Sequence, residues 1–134
     1  MTSFEERVAA VRRTYDAFHR GDVDAMLAEI HPEVEWCVDS AIPGAVQVYR
    51  GHEGLRKYLA EAQEPFEEIR FELEDFIEAG ENRVILVATI HVRGKLSGAE
   101  SDLRGYELFT LRDGKLVRRE VFFDRDEALR AAGL

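Results

Sequence analysis

Glu107 and Arg119 are the residue types in this chain best suited to acid–base work, and they fall on one apparent hairpin, Ser101–Arg112 and Lys115–Phe123. A two-residue turn at Asp113-Gly114 would set Arg112 against Lys115 and Glu107 against Glu120, like charge facing like. A three-residue loop over Arg112-Asp113-Gly114, with Gly114 left-handed, shifts the register by one. The expectation is then that Glu107 faces Arg119, Phe109 faces Val117 and Leu108 faces Arg118. One strand face collects Glu107, Phe109, Leu111, Val117, Arg119, Val121 and Phe123. Burial pushes a carboxyl pKa up and a neighbouring guanidinium pulls it down. Such a pair can serve as a proton carrier (Glu107) beside a group that orients a ligand carbonyl or carboxylate (Arg119). It can equally be a structural ion pair.

Other candidates stand near it. Trp36 alternates with Val34 and Val38 on a strand and could stack on a planar ligand. Asp39, Tyr49 and Arg50 fall at an expected loop mouth, where polar ligand contacts concentrate. Asp124 reads as a helix cap that could also rim a pocket. The expected ligand-binding set is Trp36, Asp39, Tyr49, Phe109, Val121 and Phe123. His19, His31, His52 and His91 show no metal-ligand spacing, so no metal is expected. Cys37 is the single cysteine and reads as a small buried hydrophobe. No phosphate loop or dinucleotide motif occurs, so no cofactor is expected.

The elements that must position these residues follow from periodicity. Ser3 to Glu6 has capping-box spacing. Phe4, Val8, Val11, Tyr15 and Phe18 form one helical face that stops at Gly21. Asp22 caps a second short helix through Val23, Met26, Leu27 and Ile30, ended by His31-Pro32. Val34–Val38 is strand-like, 42–51 a loop with a short strand at Val46–Tyr49, and Leu55, Tyr58, Leu59 and Ala62 mark a third helix. Strands Ile69–Ala79, Val84–Gly94, Ser101–Arg112 and Lys115–Phe123 come next, and a terminal helix runs from Asp124 to Gly133. Helices followed by strands predict an α+β domain over 1–134, with helices on one sheet face. Both faces of Val84–Val92 are apolar, and with no helix left for the second, a homodimer through the outer sheet face is expected.

Composition limits the function. The net charge is −9, and Glu53–Asn82 alone holds ten acids and three bases. That surface repels phosphate backbones, so no nucleic-acid partner is expected. The longest apolar run, Val84–Ile90, is far short of the roughly 20 residues a membrane helix needs. No membrane partner is expected, and a cytoplasmic location is, since one cysteine needs no oxidising compartment.

Five phrases in order carry a family resemblance over nearly the whole chain: Phe18-His-Arg-Gly-Asp22, His31-Pro-Glu-Val-Glu-Trp36, Tyr49-Arg-Gly-His-Glu-Gly-Leu55, Leu111-Arg-Asp-Gly-Lys-Leu116 and Phe123-Asp-Arg-Asp-Glu-Ala-Leu129. The chain resembles the SnoaL-like branch of the nuclear transport factor 2-like superfamily. The resemblance implies a cone: a strongly bent antiparallel sheet and three N-terminal helices enclosing an apolar pocket, with a short C-terminal helix. It implies binding of a small, largely apolar molecule. It also implies, as the alternative, a cofactor-free isomerase, cyclase, dehydratase or hydrolase. Against the ketosteroid isomerase pattern, aligned on Gly21-Asp22, Thr14 takes the place of the helix tyrosine and Val38 that of the strand aspartate. Glu107 matches the acidic hydrogen-bond donor. Asp102, Arg104 and Asp124 supply the residue types of the limonene epoxide hydrolase site but not its recognisable arrangement.

Overall fold

The computed structural model describes residues 2–39 and 46–134; of Asp39 and Val46 only the backbone is described. The loop expected at 42–45 lies outside these residues. Helix α1, Phe4–His19, opens on Ser3, whose hydroxyl accepts from Glu6 N–H while the Glu6 carboxylate accepts from Ser3 N–H. Helix α2, Val23–Ala28, is capped by Asp22. Strand β1 spans Ile30–Asp39, β2 Val46–Arg50, helix α3 Gly51–Gln63, β3 Phe66–Glu78, β4 Arg83–Gly94, β5 Glu100–Arg112, β6 Lys115–Phe122 and helix α4 Arg125–Ala131. His31-Pro32 therefore lies inside β1, where the pairing to β6 is irregular between Ile30 and Glu35. Proline is tolerated in a sheet at such a place because no ladder N–H is missed.

One open sheet has the order β2-β1-β6-β5-β4-β3. The expected all-antiparallel sheet is corrected at one pair: β1 and β6 run parallel, Trp36 beside Arg119. The chain reaches β6 only after the excursion through α3 and the β3–β4–β5 meander, long enough to return in the same direction. The inner face, with Val34, Trp36, Val84, Leu86, Ala88, Phe109, Leu111 and Leu116, is covered by Val11 and Tyr15 of α1, Met26 and Leu27 of α2, and Leu55 and Leu59 of α3.

The β5–β6 turn also differs from expectation. Asp113 (φ 54°) and Gly114 (φ 76°) are both left-handed, a two-residue mirror-image turn that pairs Arg112 with Lys115. Val117 then bulges: Leu111 pairs with Leu116 but Thr110 with Arg118. The extra residue shifts the register by one in the opposite direction to the expected three-residue loop, which still returns Glu107 and Arg119 to one face. Phe109 thus faces Arg119, and Glu107 faces Val121. Glu107 and Arg119 are diagonal neighbours on one face rather than direct partners.

The outer face is not left bare as expected. Ala128, Leu129 and Ala132 at the C-terminus pack on Ile85, Leu108, Ile77, Tyr106 and Phe122. Beyond α4 that face turns polar: His91 lies between Asp102 (2.6 Å) and Glu72 (3.0 Å), and Glu74 accepts from Arg104 at 2.8 Å.

Candidate functional site

Tyr15 lies one α-helical turn beyond Val11 on the buried stripe of α1, which aims its ring at the inner sheet face. Its hydroxyl donates a short hydrogen bond to Oε1 of Glu107. Arg119 Nε donates to the same oxygen at 2.6 Å, and a second guanidinium nitrogen reaches the Cys37 carbonyl at 3.5 Å. The guanidinium carbon of Arg119 lies 4.9 Å from the centre of the Trp36 ring, a cation–π contact. All of this is enclosed: Glu107 is 0% exposed, Arg119 4%, Tyr15 2% and Trp36 2%. Among the described residues, Oε2 of Glu107 and Nε1 of Trp36 have no hydrogen-bond partner.

Electrostatics follow from this enclosure. Burial pushes the Tyr15 pKa well above its ordinary value, and the adjoining Glu107 charge adds to the rise. Burial works against the Arg119 charge. Glu107 and the two tyrosines, Tyr15 and Tyr58, more than offset it, and the guanidinium is held even more firmly protonated than usual. Tyr15 is therefore a neutral donor and Arg119 a permanent cation at neutral pH. The Cys37 thiol, raised chiefly by burial, makes a poor nucleophile.

Tyr15, Phe18, Met26, Trp36, Tyr58, Phe71 and Arg119 are among the residues lining a chamber of about 30 Å³, room for a water or two. Its aromatic walls interlock, with Tyr15 and Phe71 rings 4.6 Å apart and Trp36 and Tyr58 6.2 Å apart. Phe18 and Gln63 also line two grooves, one of about 310 Å³ between α2 and α3 and one of about 480 Å³ between the end of α1 and the start of β3. A larger cavity of about 670 Å³ opens between the C-terminal ends of β1 and β6 and the start of α4. Cys37, Val38, Val121, Phe122 and Phe123 contribute to its wall.

The structure brings Glu107, Arg119 and Trp36 together. Phe109 stands behind them, fully buried, its ring 6.1 Å from Trp36. Val121 and Phe123 line the larger cavity instead, and Phe123 is 46% exposed. Tyr49 packs on the outside of Tyr58 (5.2 Å) and gives its hydroxyl to Glu61 at 2.9 Å. The side chain of Asp39 lies outside the described residues. Asp124 caps α4 by accepting from Asp126 N–H and also lines the larger cavity. Among the described residues no group of three His, Cys, Asp or Glu could hold a metal ion.

Sequence reasoning missed Tyr15, Tyr58, Phe18 and Phe71 as site residues. Alignment on Gly21-Asp22 puts Thr14 in the tyrosine position, but Thr14 gives its hydroxyl to the Ala10 carbonyl of its own helix at 2.8 Å. The available signal was the helical stripe itself, which carries Tyr15 inward and reads equally well as core.

The SnoaL-like domain model matches residues 11–119. No curated protein matches the chain. Among solved structures, an NTF2-like protein of unknown function from Burkholderia pseudomallei is 25% identical, with TM-score 0.79 and 100% of both chains covered. TerC co-crystallised with polyporic acid is 27% identical, with TM-score 0.79, 96% of this chain and 99% of that chain. A Mycobacterium tuberculosis protein in complex with estradiol-17β-hemisuccinate shares the fold at 13% identity, with TM-score 0.75, 90% of this chain and 95% of that chain. With the SnoaL-like domain model spanning residues 11–119, from Val11 and Tyr15 of α1 to Glu107 and Arg119, this chain belongs to the SnoaL-like domain family, an α+β fold of the NTF2-like kind.

Proposed function

We propose that this protein binds a small, largely apolar molecule between its helices and the inner sheet face, in the grooves that share Phe18 and Gln63 with the chamber walled by Trp36 and Arg119. The carrying observation is the fully buried Glu107, satisfied at one oxygen by Tyr15 and Arg119 and unpartnered at the other. A buried acceptor without a partner costs about 1–3 kcal/mol, so folds retain one where something else is to meet it. Aromatic walls around a few polar groups are the usual make-up of a small-molecule site. The fold neighbours TerC and the M. tuberculosis protein, which carry polyporic acid and estradiol-17β-hemisuccinate, support the same reading. Native mass spectrometry of freshly purified protein is expected to give an extra small-molecule mass that disappears on denaturation. A ligand-free protein that also takes up none of a panel of hydrophobic small molecules counts against the proposal.

A second reading is a cofactor-free isomerase, cyclase, dehydratase or hydrolase in which Glu107 carries the proton and Arg119 holds it in place. It is supported by Oε2 of Glu107, a buried proton acceptor with no hydrogen-bond partner among the described residues. Changing Glu107→Gln keeps the shape and removes the base; unchanged turnover of an identified substrate would sink this reading.

A homodimer through the outer sheet face is proposed with it, now confined to the surface beyond α4, around Thr89, His91 and Arg104. A cytoplasmic location is proposed on the strength of the single, buried Cys37. No helix among the described residues is long and apolar enough to cross a membrane.

A further inference from the structure

The two grooves beside the chamber form one continuous depression, since Phe18, Gly21 and Gln63 line both. The first is walled by Val23, Met26 and Leu59, and its cation, Arg56, is paired with Asp24 at 2.8 Å. The second carries Arg20 at the end of α1 and Arg70 on β3. The hydrogen bond from Phe71 N–H to His19 Nε2 (3.0 Å) holds these two arginines near each other, since Arg20 follows His19 and Arg70 precedes Phe71. Neither guanidinium has an ion-pair or hydrogen-bond partner among the described residues, although the chain carries a net charge of −9. Glu68, the acid in that groove, is spent on Arg93 at 3.2 Å. Asp16, one turn back on α1, acts on His19 across space but forms no ion pair with Arg20. Neutral donors stand beside the arginines. His19 accepts at Nε2, so its own proton sits on Nδ1. Phe71 and Ile69 oppose Ile90 and Val92 in the ladder, so the Ile69 N–H turns to the same free edge of β3.

We propose, resting on the small-molecule reading above, that the ligand is an apolar molecule bearing one carboxylate. Its body lies along Phe18, Met26 and Leu59, and its carboxylate meets Arg20 and Arg70. A guanidinium presents paired N–H donors that match the two oxygens of a carboxylate. A neutral ligand would leave two like charges unopposed on one groove, and a cationic one would add a third. The field of a chain with net charge −9 repels anions in general, so a local pair of unopposed cations is a selective feature. The same field favours a single negative charge over the two of a phosphate monoester. Both arginines are exposed, which keeps the carboxylate end near solvent while the apolar end reaches toward the aromatic chamber.

The test uses three probes of one shape, 2-naphthoate, 2-naphthamide and 2-(aminomethyl)naphthalene, titrated by calorimetry at neutral pH and low salt. 2-Naphthoate is expected to bind about fivefold or more tighter than the amide, the effect of one or two exposed ion pairs. The amine is expected to be the weakest. Raising the salt should shrink the naphthoate advantage, because exposed charges are screened. In the double variant Arg20→Gln with Arg70→Gln the advantage should fall toward unity. Arg125→Gln with Arg130→Gln removes the same charge from exposed positions on α4 and should retain it. If the first variant does not fold, the wild-type ranking and its salt dependence decide. Equal binding of naphthoate and amide, or preferred binding of the amine, overturns the carboxylate proposal and leaves the groove reading standing. A preference that survives the loss of both arginines overturns their role. No binding of any probe, together with a ligand-free native mass, overturns the groove reading and this one with it.

Discussion

Arg119 and Glu107 are almost wholly withdrawn from bulk solvent, so each depends on the other for its charge. Truncating Arg119→Met leaves an uncompensated buried carboxylate and is expected to cost about 3–5 kcal/mol in urea unfolding. The double variant Glu107→Leu with Arg119→Met should regain most of that, because the pair's desolvation cost disappears with it. If the single and double variants lose the same amount, the pair is not coupled. Tyr15→Phe removes a donor to a charged acceptor and should cost about 1.5–3 kcal/mol. The Tyr15 pKa is raised in the folded state, chiefly by burial, so folding favours the protonated phenol. That contribution is complete below the ordinary value near about 10 and is lost as pH climbs through the folded value. Wild-type stability should therefore fall at alkaline pH, and Tyr15→Phe should fall less; parallel curves for the two proteins would contradict the assignment. Glu107 and Arg119 were legible as a pair because opposite charges on neighbouring strands attract attention. Tyr15 was not, because an inward tyrosine on a helical stripe looks the same whether it fills a core or donates to a carboxylate.

Helix α1 is tied to the sheet at both ends, and by polar groups rather than by packing alone. Near its start, Arg7 is 2% exposed and donates to the carbonyls of Thr2 (2.6 Å), Glu81 (2.6 Å) and Arg83 (3.1 Å). Arg7→Met leaves those carbonyls unmet around the β3–β4 turn and should cost several hydrogen bonds' worth, about 2–4 kcal/mol by denaturant unfolding. At its end, His19 Nε2 accepts the backbone N–H of Phe71 at 3.0 Å, on the free edge of β3. Burial lowers the His19 pKa and Arg70 adds to it, while Asp16 works the other way. A lowered pKa means this support is complete above the ordinary value near about 6.5 and is lost as pH falls through the folded value. His91 has the opposite sign: the hydrogen bonds it gives to Glu72 and then Asp102 raise its pKa. Its contribution is complete below about 6.5 and is lost as pH rises through the folded value. Urea midpoints measured from about pH 5 to 8 should thus flatten on the acid side in His19→Gln and on the alkaline side in His91→Gln. An unchanged acid limb in His19→Gln would remove the histidine from the link to Phe71.

For the whole molecule, the outer face of the sheet beyond α4 is the surface on which a second copy is expected. α4 covers Ile85 and Leu108, which removes half of the argument for a second copy. The remaining surface is laced with charge, Glu72, Glu74, His91, Asp102 and Arg104. A dimer formed there should weaken as salt rises, since exposed ion pairs are screened over about 10 Å at 0.1 M. Sedimentation at low and high salt should show twice the 15.3 kDa chain mass giving way to a single chain. A single-chain mass under both conditions sinks the dimer, and a salt-independent dimer points to an apolar interface elsewhere.

The sequence by itself determined the elements and their order, since the period-3.6 stripes of Phe4–Phe18 and Leu55–Ala62, the alternating strands and the capping residues are local signals. It also determined that Glu107 and Arg119 share a face, though by a loop that does not exist. A left-handed Asp113-Gly114 turn followed by a bulge at Val117 shifts the register by one residue the other way, and either shift restores the shared face. Tertiary structure alone decided the rest: the parallel pairing of β1 with β6, the placement of α4 over the outer face, and the meeting of Tyr15 with Glu107, 92 residues apart. These depend on where separate elements cross in space, and side-chain periodicity within one element carries no record of that.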